Sequence, residues 1–245
     1  MAIVSKSERG QGGPPKSDPP ESALPRLVAE IEACRICRDT PLPGQSCLPH
    51  EPRPVIRASR TARLMICSQA PGLRVHNTGL PFNDASGDRL RDWMGVDRET
   101  FYDTSRIAIV PMGFCFPGYD ERKADLPPRR ECRLNWHDRV FALMPQVETI
   151  LVIGTYARAF HFERAGLANR LREPLADTVR NAQSLRDQRP RLIPLPHPSW
   201  RNSGWLRRNP WFEQDILPDL RGEVRRLAFS GTIDFETAAK QKPEQ

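Results

Sequence analysis

Four short apolar runs, at residues 63–67, 107–110, 149–153 and 191–195, are spaced along the chain, and Gly or Pro soon follows each of them. Runs of this length and composition predict buried β-strands. Residues 24–34, 88–94, 128–143, 156–162, 177–185 and 211–227 instead repeat apolar positions at helical spacing. Strands that alternate with helices predict an α/β fold with three αβα layers, in which a small parallel four-stranded sheet lies between helices.

Both ends of the chain lack this pattern. Residues 1–22 are rich in Pro and Gly, and residues 231–245 are mostly polar. Such segments bury too little apolar surface to offset the entropy lost on ordering them. We therefore expect a disordered leader over 1–22, one folded domain over 23–230 and a flexible tail over 231–245.

The charge balance favours an anionic partner. The 245 residues include 37 Lys and Arg against 30 Asp and Glu, which gives a net charge of +7. Residues 188–212 hold five arginines, three tryptophans and no acid, a combination that contacts phosphates and stacks on bases. Because no apolar run is long enough to span a membrane and the N-terminus lacks a secretory pattern, we expect a cytoplasmic protein that makes no membrane contact.

Six cysteines in a chain without an export signal do not suggest disulfides, since the cytosol keeps thiols reduced. Cys34 and Cys37 form a CxxC pair, and Cys115 and Cys132 follow later in the chain. Four thiolates suit either zinc or an iron–sulfur cluster, and their spacing does not choose between the two. Ordinary buried thiols remain the alternative.

In a parallel sheet, ligands bind at the carboxyl ends of the strands, so the segments after the four runs should carry the chemistry. The first is followed by Ser68-Gln-Ala-Pro-Gly72 and then by Gly79-Leu-Pro-Phe82-Asn-Asp84-Ala-Ser-Gly87, and the last by His197-Pro-Ser-Trp200-Arg-Asn202. In this order, these segments resemble the motifs of the uracil-DNA glycosylase superfamily, most closely those of its iron–sulfur-containing bacterial and archaeal branches. The resemblance covers roughly residues 27–220.

The resemblance implies a DNA repair enzyme that hydrolyses the N-glycosidic bond of uracil, alone or with other deaminated bases, and leaves an abasic site. Asp84 would position the water and stabilise the cationic sugar, while Gln69 holds the same water. His197 would donate a hydrogen bond to a carbonyl of the departing uracil. We expect a monomer whose partner is uracil-containing DNA and which uses no nucleotide cofactor.

The remaining candidates come from the same resemblance. Phe82 would stack on the extruded base, with the other substrate contacts at Ala70, Pro71, Gly72, Asn83 and Ser199, and with DNA contacts at Trp200, Arg201 and Asn202. Cys115-Phe-Pro and the segment from Pro127 to Cys132 look like the cluster-bearing members. The resemblance therefore implies a structural [4Fe–4S] cluster on Cys34, Cys37, Cys115 and Cys132, with zinc as the alternative.

Other interpretations stay open. Asp84, Ser86 or Asp88 would also suit a helix cap, and Asp88 is a reserve candidate for the essential acid. Gln69 stands where some branches have Glu, and it cannot act as a base. Pro111 stands where several relatives carry an Asn that reads uracil, and Pro offers no N–H. A catalytically weak or inactive protein that binds uracil or abasic DNA is therefore the alternative, and a zinc-stabilised nucleic-acid module is a third.

Overall fold

The computed structural model describes residues 20–229. At its centre is a sheet of four parallel strands in the order β2-β1-β3-β4, namely β1 (Leu64–Cys67), β2 (Ile107–Ile109), β3 (Thr149–Ile153) and β4 (Arg191–Leu195). Leu64 is in register with Ile107 on β2 and with Thr149 on β3, and Thr149 is in register with Arg191 on β4. Since the strands start level with one another, their carboxyl ends lie at the same edge of the sheet.

In chain order, the helices are α1 (Pro20–Glu32), α2 (Ile36–Asp39), α3 (Leu73–Thr78), α4 (Ala85–Met94), α5 (Arg98–Tyr102), α6 (Arg130–Cys132), α7 (Asp138–Ala142), α8 (Thr155–Arg164), α9 (Leu175–Arg180), α10 (Ser203–Arg208) and α11 (Leu217–Ala228). π-Helical turns at Arg133–His137 and Phe212–Ile216 join α6 to α7 and lead into α11. Short 3-10 helices lie at Ala168–Arg172, Asn181–Leu185 and Trp200–Asn202.

The sheet separates two apolar cores. Met65 and Cys67 of β1 pack with α1, α7 and α8, whereas Leu64 and Ile66 pack with α4, α5, α9 and α11. This division follows from the strand geometry, because successive side chains of a strand point to opposite faces. The predicted three-layer αβα fold with a parallel four-stranded sheet is confirmed.

The predicted elements are present, with differences at their ends. The six predicted helices correspond to α1, α4, the continuous run through α6 and α7, α8, the run from α9 to Leu185, and the run that ends in α11. The short helices α2, α3, α5 and α10 were not predicted, because so few residues show no measurable helical period.

The predicted leader and tail lie outside the described residues, except that α1 already includes residues 20–22. Within residues 20–229, no helix combines the length and the apolar character that crossing a lipid bilayer requires.

Candidate active site

A cavity of about 730 Å³ lies at the carboxyl edge of the sheet, and we call it the cleft. Segments after all four strands line it, with Gln69 after β1, Pro111 after β2, Tyr156 after β3 and His197 after β4. The chain runs from the central strand β1 outward to β2 and then returns to β3 on the other side of β1. Ligands of open parallel sheets bind where the winding reverses in this way, so the cleft is the expected place for a substrate.

Asp84 lines the cleft and also caps α4. Its Oδ1 accepts a hydrogen bond from the Gly87 N–H at 2.9 Å, and the helix begins at the next residue, Ala85. The predicted helix starts at residue 88, so the cap adds almost one turn. The cap occupies Oδ1 and leaves Oδ2 for a partner in the cleft. The catalytic and the capping interpretations of Asp84 are therefore compatible.

Phe82 lies on the cleft wall in a strained conformation. Its φ is +53°, in the left-handed region that costs a side-chain-bearing residue about 1–2 kcal/mol, and the residue is only 9% exposed. Its carbonyl accepts hydrogen bonds from Arg91 Nη1 and from the Tyr102 hydroxyl, each at 3.3 Å. A Cβ on Gly87 would lie 1.8 Å from this carbonyl oxygen, so the turn requires glycine at position 87.

The conformation of His197 is set by its own loop. The Ser199 N–H donates to His197 Nδ1 at 3.2 Å, and Asn202 Nδ2 donates to the His197 carbonyl at 2.8 Å. Because Nδ1 accepts a hydrogen bond, the proton of the neutral ring is assigned to Nε2. The ring therefore has one N–H available as a donor toward a ligand.

The electrostatic surroundings keep this imidazole neutral. Burial lowers the pKa of His197, while the carboxylates of Asp84 and Asp125 raise it and the cation of Arg201 lowers it. The burial effect is the largest, so the ring is uncharged at neutral pH. The influence of Asp84 on His197 also shows that the two predicted catalytic groups, which both line the cleft, are electrostatically coupled.

The loop after β1 forms the central wall of the cleft. The Ser68 and Gln69 carbonyls accept hydrogen bonds from the Met112 and Gly113 N–H groups at 2.9 and 2.8 Å, which ties this loop to the segment after β2. The Gln69 side chain lies so close to Gly154 that a Cβ there would be 3.0 Å from Gln69 Cγ. The predicted substrate contacts in this loop also line the cleft, at Ala70, Pro71 and Gly72.

Pro111 lines the cleft at the place where the resemblance leads us to expect an Asn. Its carbonyl oxygen lies 3.1 Å from a ring nitrogen of the buried His137, so a partner within the protein already occupies it. Since proline also has no N–H, this position offers a base little besides apolar surface.

Two predicted residues do not line the cleft. Asn83 accepts a hydrogen bond from Arg98 Nη2 at 3.1 Å instead. Asp88 pairs with Arg91, and its side chain is 76% exposed. Of the two carboxylates considered for the essential acid, Asp84 is therefore the one at the cleft.

The segment after His197 forms one rim of the cleft. Ser199, Trp200, Arg201 and Asn202 all line it, and Trp200 is 76% exposed. The Arg201 guanidinium lies over the Trp200 ring, 5.9 Å from its centroid. An exposed ring and a cation at the mouth of a cleft are suited to contact bases and phosphates.

Sequence reasoning missed Asp125 and Tyr156, which also line the cleft. Asp125 belongs to a hairpin-like turn in which Tyr119 pairs with Asp125 in antiparallel fashion. Tyr156, in the first turn of α8, is 44% exposed. A signal for Tyr156 existed, because it follows the third strand by three residues, whereas nothing in the polar segment around Asp125 indicates the cleft.

The four predicted ligand cysteines meet at a second site, whose lining shares no residue with the cleft. Cys34, Cys37, Cys115 and Cys132 line one small cavity together with Ile31, Pro52, Pro54 and Phe114. A hydrogen bond from Cys132 is the main cause of a lowered pKa at Cys37, and the Phe114 N–H donates to Cys132 Sγ at 3.4 Å. Within residues 20–229, however, no group of three or more His, Cys, Asp or Glu side chains is arranged to hold a metal ion.

Comparison with known protein families agrees with this geometry. The sequence model of the Uracil DNA glycosylase superfamily matches residues 57–221. The matched stretch begins before β1 and ends within α11, so it contains all four strands and the segments that follow them. Cys34 and Cys37 precede it, whereas Cys115 and Cys132 lie within it. The chain belongs to the uracil DNA glycosylase superfamily.

Proposed function

We propose that this protein is a monofunctional DNA glycosylase that hydrolyses the N-glycosidic bond of uracil in DNA and leaves an abasic site. One observation carries the proposal: Asp84 and His197, which are distant in sequence, line the same cavity at the carboxyl edge of the sheet. Superfamily membership supports glycosylase chemistry at this site. The carboxylate and the imidazole supply the two kinds of stabilisation that the reaction needs.

The first requirement is a donor for the departing base. Breaking the bond between C1′ and the base nitrogen leaves both bonding electrons on uracil, so negative charge develops on its carbonyl oxygens. The neutral His197 ring, held through Nδ1 by the Ser199 N–H, has its Nε2–H available to donate to a carbonyl of the base. Removing one such preorganised donor typically slows a reaction by about 10²–10³-fold.

The second requirement is a carboxylate near the sugar. Bond cleavage leaves positive charge on the deoxyribose, and a water must add to C1′. The Asp84 carboxylate stabilises that charge and accepts the proton that the water loses as its oxygen bonds to C1′. Gln69, on the adjacent wall, can orient the water but cannot take its proton.

The base reaches this site only after leaving the duplex. Phe82 offers an aromatic face on the cleft wall for the extruded base, and the exposed Trp200 ring stands at the rim. The Arg201 side chain, next to Trp200, supplies a positive charge that can pair with a phosphate of the DNA backbone. Mispaired uracil is the cheapest to extrude, so we expect U·G pairs to react faster than U·A pairs.

Two further properties follow from the cleft lining. A glycosylase that also cleaves the DNA strand uses an amine to form a Schiff base, and among residues 20–229 no lysine lines the cleft. Recognition of the uracil edge would depend on Gln69 and on backbone groups, because Pro111 has no polar side chain and Asn83 bonds Arg98 and does not line the cleft. We therefore expect other deaminated bases to be removed as well.

We further propose that the four cysteines hold a structural [4Fe–4S] cluster, as in the iron–sulfur branches that the sequence resembles. Four thiols around one cavity with apolar walls and an N–H directed at Cys132 Sγ provide suitable ligands and a suitable dielectric. Zinc would need the same four sulfurs at about 2.3 Å from one ion, so the choice of the cluster over zinc rests on the resemblance. The cluster would link the segment after α1 to the rest of the domain.

Single-turnover excision tests the catalytic proposal. Protein in excess is incubated with labelled oligonucleotides that carry uracil opposite G, opposite A or in a single strand, and alkali-labile sites are quantified over time. We expect excision by the wild type and rates about 10²–10⁴-fold lower for Asp84→Asn and His197→Asn. Asp92→Asn, which removes an exposed carboxylate from the same helix, is the control that retains wild-type rate.

Binding without alkali-labile product would contradict this proposal and favour the inactive uracil- or abasic-DNA binding protein. The cofactor is tested separately on anaerobically purified protein. Broad visible absorption, with iron and acid-labile sulfide, supports the cluster, and a colourless protein that contains zinc contradicts it.

A further inference from the structure

Arg89 reaches the loop of His197 from the helix that Asp84 caps. It lies on α4, and its Nη1 donates hydrogen bonds to the Pro198 carbonyl at 3.2 Å and to the Ser199 carbonyl at 3.1 Å. Its side chain does not line the cleft, so it touches no substrate there. It connects two segments that are more than a hundred residues apart in the chain.

The bonded atoms belong to the peptide unit that holds the imidazole. The Pro198 carbonyl and the Ser199 N–H are the two polar groups of one peptide plane, and the plane is rigid. Arg89 holds its oxygen side, while the N–H on the opposite side donates to His197 Nδ1 at 3.2 Å. A guanidinium that fixes the oxygen therefore also fixes the direction of the N–H, and it strengthens that donor by polarising the peptide.

We propose that Arg89 is a positioning residue that, through the Pro198–Ser199 peptide plane, holds His197 in the tautomer whose proton is on Nε2. The role of this tautomer in uracil excision rests on the proposed function. The geometry also joins the two catalytic groups, because the helix that carries Arg89 begins at the cap formed by Asp84. Arg89 therefore links the helix that Asp84 caps to the loop that carries His197.

Two variants and one control separate this role from a general loss of charge. Arg89→Leu keeps most of the aliphatic stem and removes the donors, and Arg89→Lys keeps a charged donor of different shape. Arg225→Leu removes an exposed arginine from α11 and serves as the control for net charge. Circular dichroism and thermal unfolding establish that each protein folds.

The decisive readout is the tautomer, measured without DNA. Nitrogen NMR of the imidazoles, with His197 assigned through His197→Asn, should show an unprotonated Nδ1 and a protonated Nε2 in the wild type and in Arg225→Leu. Arg89→Leu should show a mixture of tautomers, and Arg89→Lys should lie between the two. In single-turnover excision, we expect Arg89→Leu to be roughly ten- to hundredfold slower, the worth of a charged hydrogen bond, with DNA affinity no lower than in Arg225→Leu.

The two readouts distinguish failure of this inference from failure of the proposed function. An unchanged His197 tautomer in Arg89→Leu overturns the inference, whatever happens to the excision rate. If Arg89→Leu does not fold, an unchanged tautomer in a folded Arg89→Lys overturns it equally. A tautomer shift in a protein whose wild type excises no base supports the positioning role of Arg89 and contradicts the glycosylase assignment alone.

Discussion

Replacing Gly87 with alanine tests whether the turn that carries Phe82 and Asp84 is needed for activity. The added Cβ would lie 1.8 Å from the Phe82 carbonyl oxygen and 2.8 Å from the Phe82 Cβ. Favourable contacts between such atoms begin near 3.5 Å, so the turn must move by more than about 1 Å. Because Gly87 also donates the capping hydrogen bond to Asp84, the displacement reaches the carboxylate.

The energetic cost follows from the bonds that the movement breaks. Loss of the Asp84 cap costs about 1 kcal/mol, and loss of the hydrogen bond from the Arg91 guanidinium to the Phe82 carbonyl costs about 2 kcal/mol, because its donor is charged. Because alanine is a better helix former than glycine, the substitution offsets up to about 1 kcal/mol of this loss of stability. We therefore expect a net destabilisation of about 2 kcal/mol.

The substitution should affect the excision rate more strongly than the free energy of unfolding. Displacement of a catalytic group by about 1 Å can cost about 10²-fold in rate, and Gly87→Ala would displace Asp84 and Phe82 together. Urea unfolding measures the first effect and single-turnover uracil excision the second. We expect a folded protein whose excision is at least about a hundredfold slower than that of the wild type.

Gly222→Ala is the matched control. Gly222 lies within α11, and outside the backbone of its own helix a Cβ there would meet no heavy atom of the described residues within 4 Å. This variant should gain about 0.5–1 kcal/mol of stability and keep wild-type excision. Wild-type stability and rate in Gly87→Ala would refute the argument, because they would mean that the close approach of Gly87 to Phe82 does not constrain the site.

Three further changes have definite expected outcomes. Trp200→Ala should leave the free energy of unfolding within about 0.5 kcal/mol of the wild-type value, since the residue is 76% exposed. It should weaken the binding of uracil DNA, measured by fluorescence anisotropy, roughly five- to a hundredfold. Unchanged affinity would mean that Trp200 does not contact the DNA. Asp125→Asn removes a negative charge that raises the pKa of His197. In a profile of excision rate against pH, the fall in rate on the acid side should therefore move to lower pH, and a move to higher pH would contradict this. Burial lowers the pKa of His161 to about 3, below its unfolded value near 6.5, so its contribution to stability is lost as pH falls through this range. Relative to the wild type, the free energy of unfolding of His161→Phe should therefore be about 2–3 kcal/mol more favourable to the folded state at pH 4.5 than at pH 7, as measured by urea unfolding. An equal difference between variant and wild type at both pH values would contradict the assignment.

The sheet could be predicted from the sequence because its strands are buried on both faces. Residues 149–153 and 191–195 are continuous apolar runs, and the structure has strands with the same bounds. A parallel sheet then fixes which edge carries the ligand site, so the segments that begin at Ser68 and His197 could be placed without knowledge of tertiary contacts.

Side-chain direction could not be predicted in the same way. Asn83 and Asp84 are adjacent, yet one bonds Arg98 and the other lines the cleft, because the left-handed Phe82 and the cap at Gly87 set the turn. Neither the left-handed residue nor the cap produces a periodic pattern in the sequence that could reveal it. The aromatic-rich segment shows the same limit, since Trp205 packs against Phe212 in the core.

The contacts missed from the sequence depend on distant residues. Arg89 bonds carbonyls more than a hundred residues away, and Asp125 comes to the cleft from a polar turn. Such contacts arise only when α4 and the hairpin-like turn pack beside the loop after β4. Cys34, Cys37, Cys115 and Cys132, which the sequence groups together, line one cavity, and their role as cluster ligands stays a prediction.

Release of free base, measured by mass spectrometry, tests most directly whether Asp84 and His197 excise uracil. Excess protein is incubated with a duplex that contains one U·G pair, and free uracil is quantified for the wild type and for a variant that combines Asp84→Asn with His197→Asn. We expect stoichiometric uracil from the wild type and release at least about 10³-fold slower from the double variant. Equal release rates from the two proteins, or no uracil from a folded wild type, would contradict it.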